Sequence, residues 1–305
     1  MPRFRIGTRG SPLALTQANM VRDALIAAHG WDRETVEIVT VRTTGDRVQD
    51  RALAEIGGKA LWTKELDRAL SENAIDCAVH SMKDVETLRP AEIVIAAMLP
   101  RADVRDRIIG ATSIEALRAG AVVGTSSPRR AAQLKHRRPD LSITLFRGNV
   151  DTRLAKLKAG EADATLLASA GLARLGRHDV GTPIPVESML PAPAQGAIGI
   201  ETREDDSRAR KWLAAIDDPD TSACVRCERA LLAALGADCH SPVAALATIT
   251  GDLLTLSAEL LALDGSAKVA DRATGAIGDP AMPKRLASDL LAAAPHAIAR
   301  LFTGR

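Results

Sequence analysis

Tyrosine is absent from the chain, and phenylalanine and tryptophan occur only three times each. So few rings leave little for base stacking, the sequence-tolerant part of single-strand recognition. Excess charge of one sign is missing too: 40 basic and 38 acidic side chains leave a net +2, without the electrostatic footprint of a nucleic-acid binder. No apolar run approaches the ~18 residues of a membrane-spanning helix. Near the N-terminus, Arg3 and Arg5 precede an apolar stretch from Pro12 to Leu15, short of the roughly 7–15 residues of a signal-peptide core. Four cysteines in 305 residues make no disulfide framework, and without an export signal they are expected as reduced thiols. The expectation is a cytoplasmic chain with no nucleic-acid partner and no membrane. No apolar association surface stands out, so a monomer is expected.

What is present is ample core material, with 46% of residues hydrophobic, and a length of 305 residues allows one domain but favours two or three. From Arg3 to about Ala170, strand-like and helix-like segments alternate, the pattern of largely parallel sheets covered by helices. Arg3–Arg9 alternates Phe4 and Ile6 with basic residues. Ser11-Pro12 then opens a helix that Gly30 stops. Val36–Val41 reads as a strand, Leu61–Leu70 as a helix, and Ile75–Val79 and Ile93–Met98 as strands. In a second series, Thr112-x-x-Glu115 predicts a capping-box helix closed by Gly120. Val122-Val123 leads into Ser127-Pro128, followed by a strand at Leu141–Phe146, a helix near Asp151–Lys158 and a strand at Ala164–Leu167. The proline-rich stretch from 183 to 193 reads as a crossing linker. After Pro219 the pattern changes to a helix at Ser222–Leu235, three strand-like runs and a last helix near Met282–Phe302. Gly251-Asp252 and Asp264-Gly265 separate the runs, which predicts a small antiparallel sheet.

The segment His80-Ser-Met-Lys83-Asp84 follows a predicted strand, where open α/β sheets place ligands. Taken alone it also fits a solvated, capped loop. Basic residues recur, however, at other turns. Arg9 precedes the Ser11 cap, Arg129 and Arg130 follow Ser127-Pro128, and Arg147 precedes Gly148-Asn149. Arg153 falls in the next helix's first turn, and Lys59 follows Gly57-Gly58. First turns favour acidic residues because the macrodipole is positive there. Repeated cations are therefore expected to be offset by bound anions, and guanidinium forks match carboxylates and phosphates. Two lobes with such turns facing a cleft would hold a small molecule bearing several anionic groups.

Several motifs, in order, resemble the porphobilinogen deaminase (hydroxymethylbilane synthase) family. They are Arg5-Ile-Gly-Thr-Arg9-Gly-Ser11-Pro, Gly57-Gly-Lys59-Ala-Leu-Trp62, His80-Ser-Met-Lys-Asp84-Val and Gly124-Thr-Ser-Ser127-Pro-Arg129-Arg130. Arg147-Gly-Asn149-Val-Asp-Thr-Arg153 and Ala170-Gly-Leu-Ala-Arg174-Leu-Gly follow, and the likeness weakens beyond Pro242. The resemblance implies an α/β fold with two lobes like those of a periplasmic binding protein, crossed twice by the chain. A C-terminal α+β domain with a small antiparallel sheet completes it. The expected domains are 1–98 with 197–216, then 103–191, then 219–305.

The resemblance also implies an enzyme that condenses four porphobilinogen molecules head to tail, releasing four ammonia molecules and hydroxymethylbilane for tetrapyrrole biosynthesis. The growing chain is anchored on a covalent dipyrromethane cofactor, one per chain, held by a thioether. Here the anchor would be Cys239, in Gly236-Ala-Asp-Cys239-His-Ser-Pro242. Each porphobilinogen ring carries an acetate and a propionate, which accounts for arginines at turns. Asp84 is the expected catalytic carboxylate at the pyrrole N–H groups. Lys83, also placed in the catalytic set, would point away from it on a continuing strand, towards substrate or cofactor carboxylates. Ser81 and Ser127 would donate hydrogen bonds to the cofactor, and Arg129, Arg130, Arg147 and Arg153 would hold its carboxylates. Arg9, Ser11, Lys59 and Arg174, again with Arg147 and Arg153, would hold substrate. No metal is expected.

Three positions depart from the family pattern: Glu55 for a common Lys, Trp62 for a common Phe, and Asp238 for a Gly before the anchoring cysteine. Two other readings stay open. Cys224-x-x-Cys227 with Cys239-His240 reaches the four ligands of structural zinc, although Cys224, Cys227, Leu231 and Leu235 also form one apolar helix stripe. A non-catalytic bilobal protein for a small anion would use the lobes and arginines equally well. His29, His136, His178 and His296 read as surface residues.

Overall fold

The computed structural model describes residues 4–41 and 63–302. Lys59, with Glu55, Trp62 and the start of the helix predicted from Leu61, lies outside them. Local chemistry sets the first elements. After Phe4–Arg9 (β1), Ser11 has extended backbone and its Oγ accepts the Ala14 N–H, so Pro12–His29 (α1) begins at the proline. Gly30, left-handed at φ 64°, ends that helix. Val36–Val41 (β2), Lys64–Ser71 (α2), Cys77–Ser81 (β3) and Ile93–Met98 (β4) follow. The chain continues through Asp106–Ile109 (β5), Val122–Gly124 (β6), Pro128–Arg137 (α3), Ser142–Thr144 (β7), Val150–Lys158 (α4), Ala164–Ala168 (β8), Ser169–Arg174 (α5) and Thr182–Pro183 (β9). Then come Ile198–Arg203 (β10), Ser207–Ala214 (α6) and Pro219–Ala234 (α7). Val243–Thr250 (β11), Leu253–Leu261 (β12), Lys268–Ala276 (β13), Met282–Ala293 (α8) and His296–Ala299 (α9) close the sequence of elements.

The chain divides into two compact units. Residues 1–102 and 196–222 form one, and residues 103–195 and 223–305 the other. In the first, a five-stranded sheet runs β2-β1-β3-β10-β4, with β1 parallel to β2 and β3, and β10 antiparallel to β3 and β4. Its core includes Phe4, Ile6, Val21, Leu25, Val79 and Ile200. The second unit contains a sheet of the same pattern, β7-β6-β8-β5-β9, in which β5 runs antiparallel to its neighbours β8 and β9. It also contains the antiparallel sheet β11-β12-β13, packed with α7 and α8 around Leu231, Leu256, Leu260 and Leu286. In both large sheets the antiparallel inner strand follows a crossing between units: β5 after residue 102 and β10 after residue 195. Among the described residues no helix is long and apolar enough to cross a membrane.

Three local readings need correction. The capping-box helix at 112–120 does not form; the segment is bends and turns. Ser113, not Thr112, caps it by accepting the Ala116 N–H, and the Arg138 guanidinium takes the Ile114, Glu115 and Leu117 carbonyl oxygens that a helix would use. The last helix breaks at Ala294-Pro295, leaving α8 and the single turn α9. His29 is half-buried rather than on the surface, stacked on Trp31 with Nε2 2.9 Å from the Trp212 carbonyl oxygen.

Candidate active site

In the first unit the candidate chemistry sits where β3 ends. Its strand is buried from Cys77 to His80 and paired on both sides, by β1 and β10. At Ser81 the strand stops and Met82–Asp84 makes one 3₁₀ turn. Lys83 and Asp84 therefore do not alternate across a continuing strand, as expected above; successive side chains of such a turn lie about 120° apart. The turn is anchored on its inner side. Met82 is buried, its N–H donates to the Ala197 carbonyl oxygen at 3.1 Å, and its thioether packs over Gly199. A Cβ on Gly199 would lie 2.0 Å from the Met82 sulfur, so no side chain fits there unless Met82 moves. Gln17 Nε2 donates to Ser81 Oγ at 2.7 Å, which uses the oxygen as an acceptor and leaves the hydroxyl proton available. With those anchors Lys83 is half-buried and Asp84 is exposed. Arg9 ends β1 half-buried, and Ser11 Oγ is the α1 cap.

Behind this turn lies a buried polar network that the sequence reading missed. His80 Nε2 is 3.1 Å from Glu201 Oε2, and Glu201, wholly buried on β10, accepts two hydrogen bonds from Arg89 at 2.8 and 2.9 Å. Arg89 also donates to Glu86 at 2.9 Å and Asp67 at 2.5 Å. Burial pushes the Glu201 carboxyl up, but hydrogen bonds and charge from His80 and Arg89 outweigh it and bring it down to about 2. A carboxyl lowered on folding gives stability that is complete above its ordinary value of 4.5 and is lost as pH falls from there through about 2. Glu201→Gln is expected to cost ~3–5 kcal/mol at neutral pH by leaving Arg89 short of a partner. The cost should shrink at pH 3. Urea unfolding at both pH values measures it, and an equal loss at both would contradict this account.

The second unit carries most of the arginines. Ser127 Oγ caps α3 by accepting the Arg130 N–H at 3.4 Å, so its own proton is left to donate. Arg129 and Arg130, in the first turn, are buried, and both reach the wholly buried Asp106 on β5. Arg129 Nη2 donates to Asp106 Oδ2 at 2.8 Å, and Arg130 Nη2 to Oδ1 at 2.7 Å. The cations at this helix start are thus met partly from within: two guanidiniums face one carboxylate. Asn149 caps α4 by accepting the Thr152 N–H, behind Gly148 at φ 107°, a backbone that suits glycine. Arg153 donates from Nε to the Gly148 carbonyl oxygen and from Nη2 to Ser126 Oγ. Among the described residues Arg147 Nη1 is buried without a hydrogen-bond partner, an arrangement that fits a bound anion. Burial pushes Arg174 down to about 10.

Cys239 lies exposed in the turn after α7, which Asp238 closes. Its Oδ1 accepts from the His240 N–H at 2.9 Å and the Ser241 hydroxyl at 3.3 Å. Asp238 is not among the residues at positive φ, so aspartate sits here without the strain expected of a glycine position. Cys224 packs in the terminal core with Leu231 and Leu235, and half-buried Cys227 lies against it, pushed up to about 12 by burial. Among the described residues no three His, Cys, Asp or Glu side chains gather as metal ligands.

Comparison with known proteins gives the family. Residues 4–211 match the family model described as porphobilinogen deaminase, dipyromethane cofactor binding domain, and residues 222–292 match its C-terminal domain. A porphobilinogen deaminase from Sphingopyxis alaskensis is 58% identical, covering 98% of this chain and 96% of its own length. One from Paracoccus denitrificans is 52% identical over 96% of this chain and 95% of its own. Among solved structures, an ABC transporter periplasmic substrate-binding protein from Coxiella burnetii covers 72% of this chain and 94% of its own, at 14% identity and a TM-score of 0.42. With both family models matched and relatives more than half identical along nearly all of its length, the chain belongs to the porphobilinogen deaminase family.

Proposed function

We propose that the chain condenses four porphobilinogen molecules head to tail into hydroxymethylbilane, releasing four ammonia molecules, on a dipyrromethane cofactor joined by a thioether to Cys239. The observation that carries the residue assignment is the exposed Asp84 carboxylate on a turn whose neighbours are anchored from behind. An exposed thiol at Cys239 and a buried N–H on Arg147 that no described residue meets fit a covalently held polycarboxylate. When bound, the cofactor supplies the pyrrole α-carbon on which the chain grows. Loss of ammonia from porphobilinogen leaves an electron-poor methylene-pyrrolenine, and positive charge develops at its ring nitrogen. Asp84 stabilises that charge at the pyrrole N–H and accepts and returns a proton. Lys83 and the arginines hold acetate and propionate groups, while Ser81 and Ser127, whose oxygens accept from Gln17 and the Arg130 N–H, donate their own hydroxyl protons. We further propose a cytoplasmic monomer with three domains, 1–98 with 197–216, 103–191 and 219–305, each built on one of the three sheets. Mass spectrometry of the intact protein tests the anchor, and turnover of porphobilinogen tests the reaction.

The arginines are expected to act at different stages. Each charge-assisted hydrogen bond lost costs ~1.5–3 kcal/mol. Replacing Arg129, Arg130 or Arg153 should yield largely cofactor-free protein. Arg9 and Arg174 variants should keep the cofactor but accumulate enzyme–substrate intermediates, visible as added pyrrole masses. Full loading and normal elongation in all five variants would remove the support for carboxylate binding by these residues.

A further inference from the structure

Asp106 begins β5, yet its side chain is wholly buried and accepts three side-chain hydrogen bonds. Two come from Arg129 and Arg130, and the third from Gln195 Nε2 at 2.9 Å. Each guanidinium has a second anchor on its other terminal nitrogen. Arg129 Nη1 donates to the Leu190 carbonyl oxygen and Gln133 Oε1, and Arg130 Nη1 to the Leu166 carbonyl oxygen. A planar guanidinium held at both ends cannot turn. Of its five N–H groups these bonds use three in Arg129 and two in Arg130, and the directions of the others are then fixed by what holds the plane. In both arginines the Nε–H is among these, buried and without a hydrogen-bond partner among the described residues, while the side chains are only 3% and 5% exposed. Buried donors of this kind are rare in native structures unless something absent from the chain meets them.

Gln195 adds a second link. Its Nε2 also donates to the Val104 carbonyl oxygen at 2.7 Å, so one amide ties residue 195, the last of its unit before the chain returns, to Val104 and Asp106 just after the outward crossing. The two guanidiniums hold the Asp106 carboxyl well below the usual carboxylate range despite its burial. It therefore stays charged throughout the neutral range.

We propose that Asp106 is a positioning residue for the cofactor: it sets the planes of Arg129 and Arg130, so that the N–H groups left unused are oriented before a cofactor carboxylate binds, and Gln195 holds Asp106 in register. This rests on the reading that the two arginines bind the cofactor. Preorganised donors spare the ordering cost at the moment of binding. Their loss should therefore slow assembly of the holoenzyme and not merely soften the fold.

The test uses full-length apo protein purified from cells unable to make porphobilinogen. It is loaded by adding porphobilinogen, and the gain of two pyrrole units is followed by intact mass. Asp106→Asn is expected to load on the order of tenfold more slowly than wild type, and Gln195→Met several-fold more slowly. Leu134→Ala, buried on the same helix as the arginines, controls for lost stability and should load at the wild-type rate. Wild-type loading by Asp106→Asn overturns the proposal. If that variant does not fold, wild-type loading by Gln195→Met, which keeps the ion pairs, overturns it instead. Slow loading by Leu134→Ala to the same degree would reduce Asp106 to a structural role and also overturn it. Arg129→Gln and Arg130→Gln separate the two levels. Normal loading in both removes the underlying reading, whereas cofactor-free arginine variants beside normally loading Asp106 and Gln195 variants remove only the positioning role.

Discussion

Asp84→Asn is expected to slow turnover of porphobilinogen by ~10²–10⁴-fold, the range for loss of a positioned acid–base group. The substitution keeps the shape of the side chain and removes its charge. The contacts that shape the turn among the described residues do not use that charge: Met82 is held by Gly199 and the Ala197 carbonyl oxygen, and Ser81 by Gln17. The loss should therefore appear in kcat, with KM and thermal stability little changed. Steady-state kinetics on protein whose cofactor content has been checked by mass would show it. Near-normal kcat would sink the assignment, and a fall explained wholly by missing cofactor would move Asp84 from chemistry to cofactor assembly.

Cys239→Ser is expected to abolish activity and to return the intact mass to that of the bare sequence, with wild type two linked pyrrole units heavier. The four cysteines differ in ways that single out this one. Cys77 is buried and its thiol is pushed well up by burial, and Cys227 is pushed up to about 12 for the same reason. Cys224 is part of the terminal core. Cys239 alone among them is exposed. Because the deaminated substrate is already electrophilic, the thiol needs access more than an unusual thiolate fraction. The adduct should survive reductant and chelator. Cys224→Ala and Cys227→Ala should keep both adduct and activity while losing some stability from the helix stripe. Active wild type of unmodified mass would overturn the anchor, and zinc held by wild type but lost with Cys224 would restore the metal reading.

What could be read from the sequence was what neighbouring residues decide among themselves. The Ser11, Gly30 and Ser127 caps and the turns at Gly251-Asp252 and Asp264-Gly265 are local, and the elements they bound lie within a few residues of expectation. The motif at His80–Asp84 was visible because polar residues rarely crowd a strand exit. Partnerships across the chain were not visible. Asp106 opens a strand with a buried charge, which breaks the alternation that marks a strand in sequence, and only the fold brings Arg129 and Arg130 to it. Glu201 is likewise a charge inside an apolar strand, legible only once β10 is paired between β3 and β4. The 112–120 helix failed for the same reason, because Arg138 competes for its carbonyls from outside the window.

The pairing of β10 has a consequence for how the chain emerges from the ribosome. The first sheet lacks its fourth strand until residues 198–203 have been made, so β3 and β4 wait with open edges while residues 103–195 are synthesised between them. At ~5–20 residues per second that interval lasts about 5–20 s. The strands of the inserted sheet all lie within residues 103–195, so that sheet can pair during the wait. Met82 and His80 meet Gly199 and Glu201 only after that. The turn bearing Asp84 is therefore among the last parts of the first unit to become rigid, and a nascent chain stalled before residue 198 would present unpaired strands to chaperones rather than a half-built catalyst.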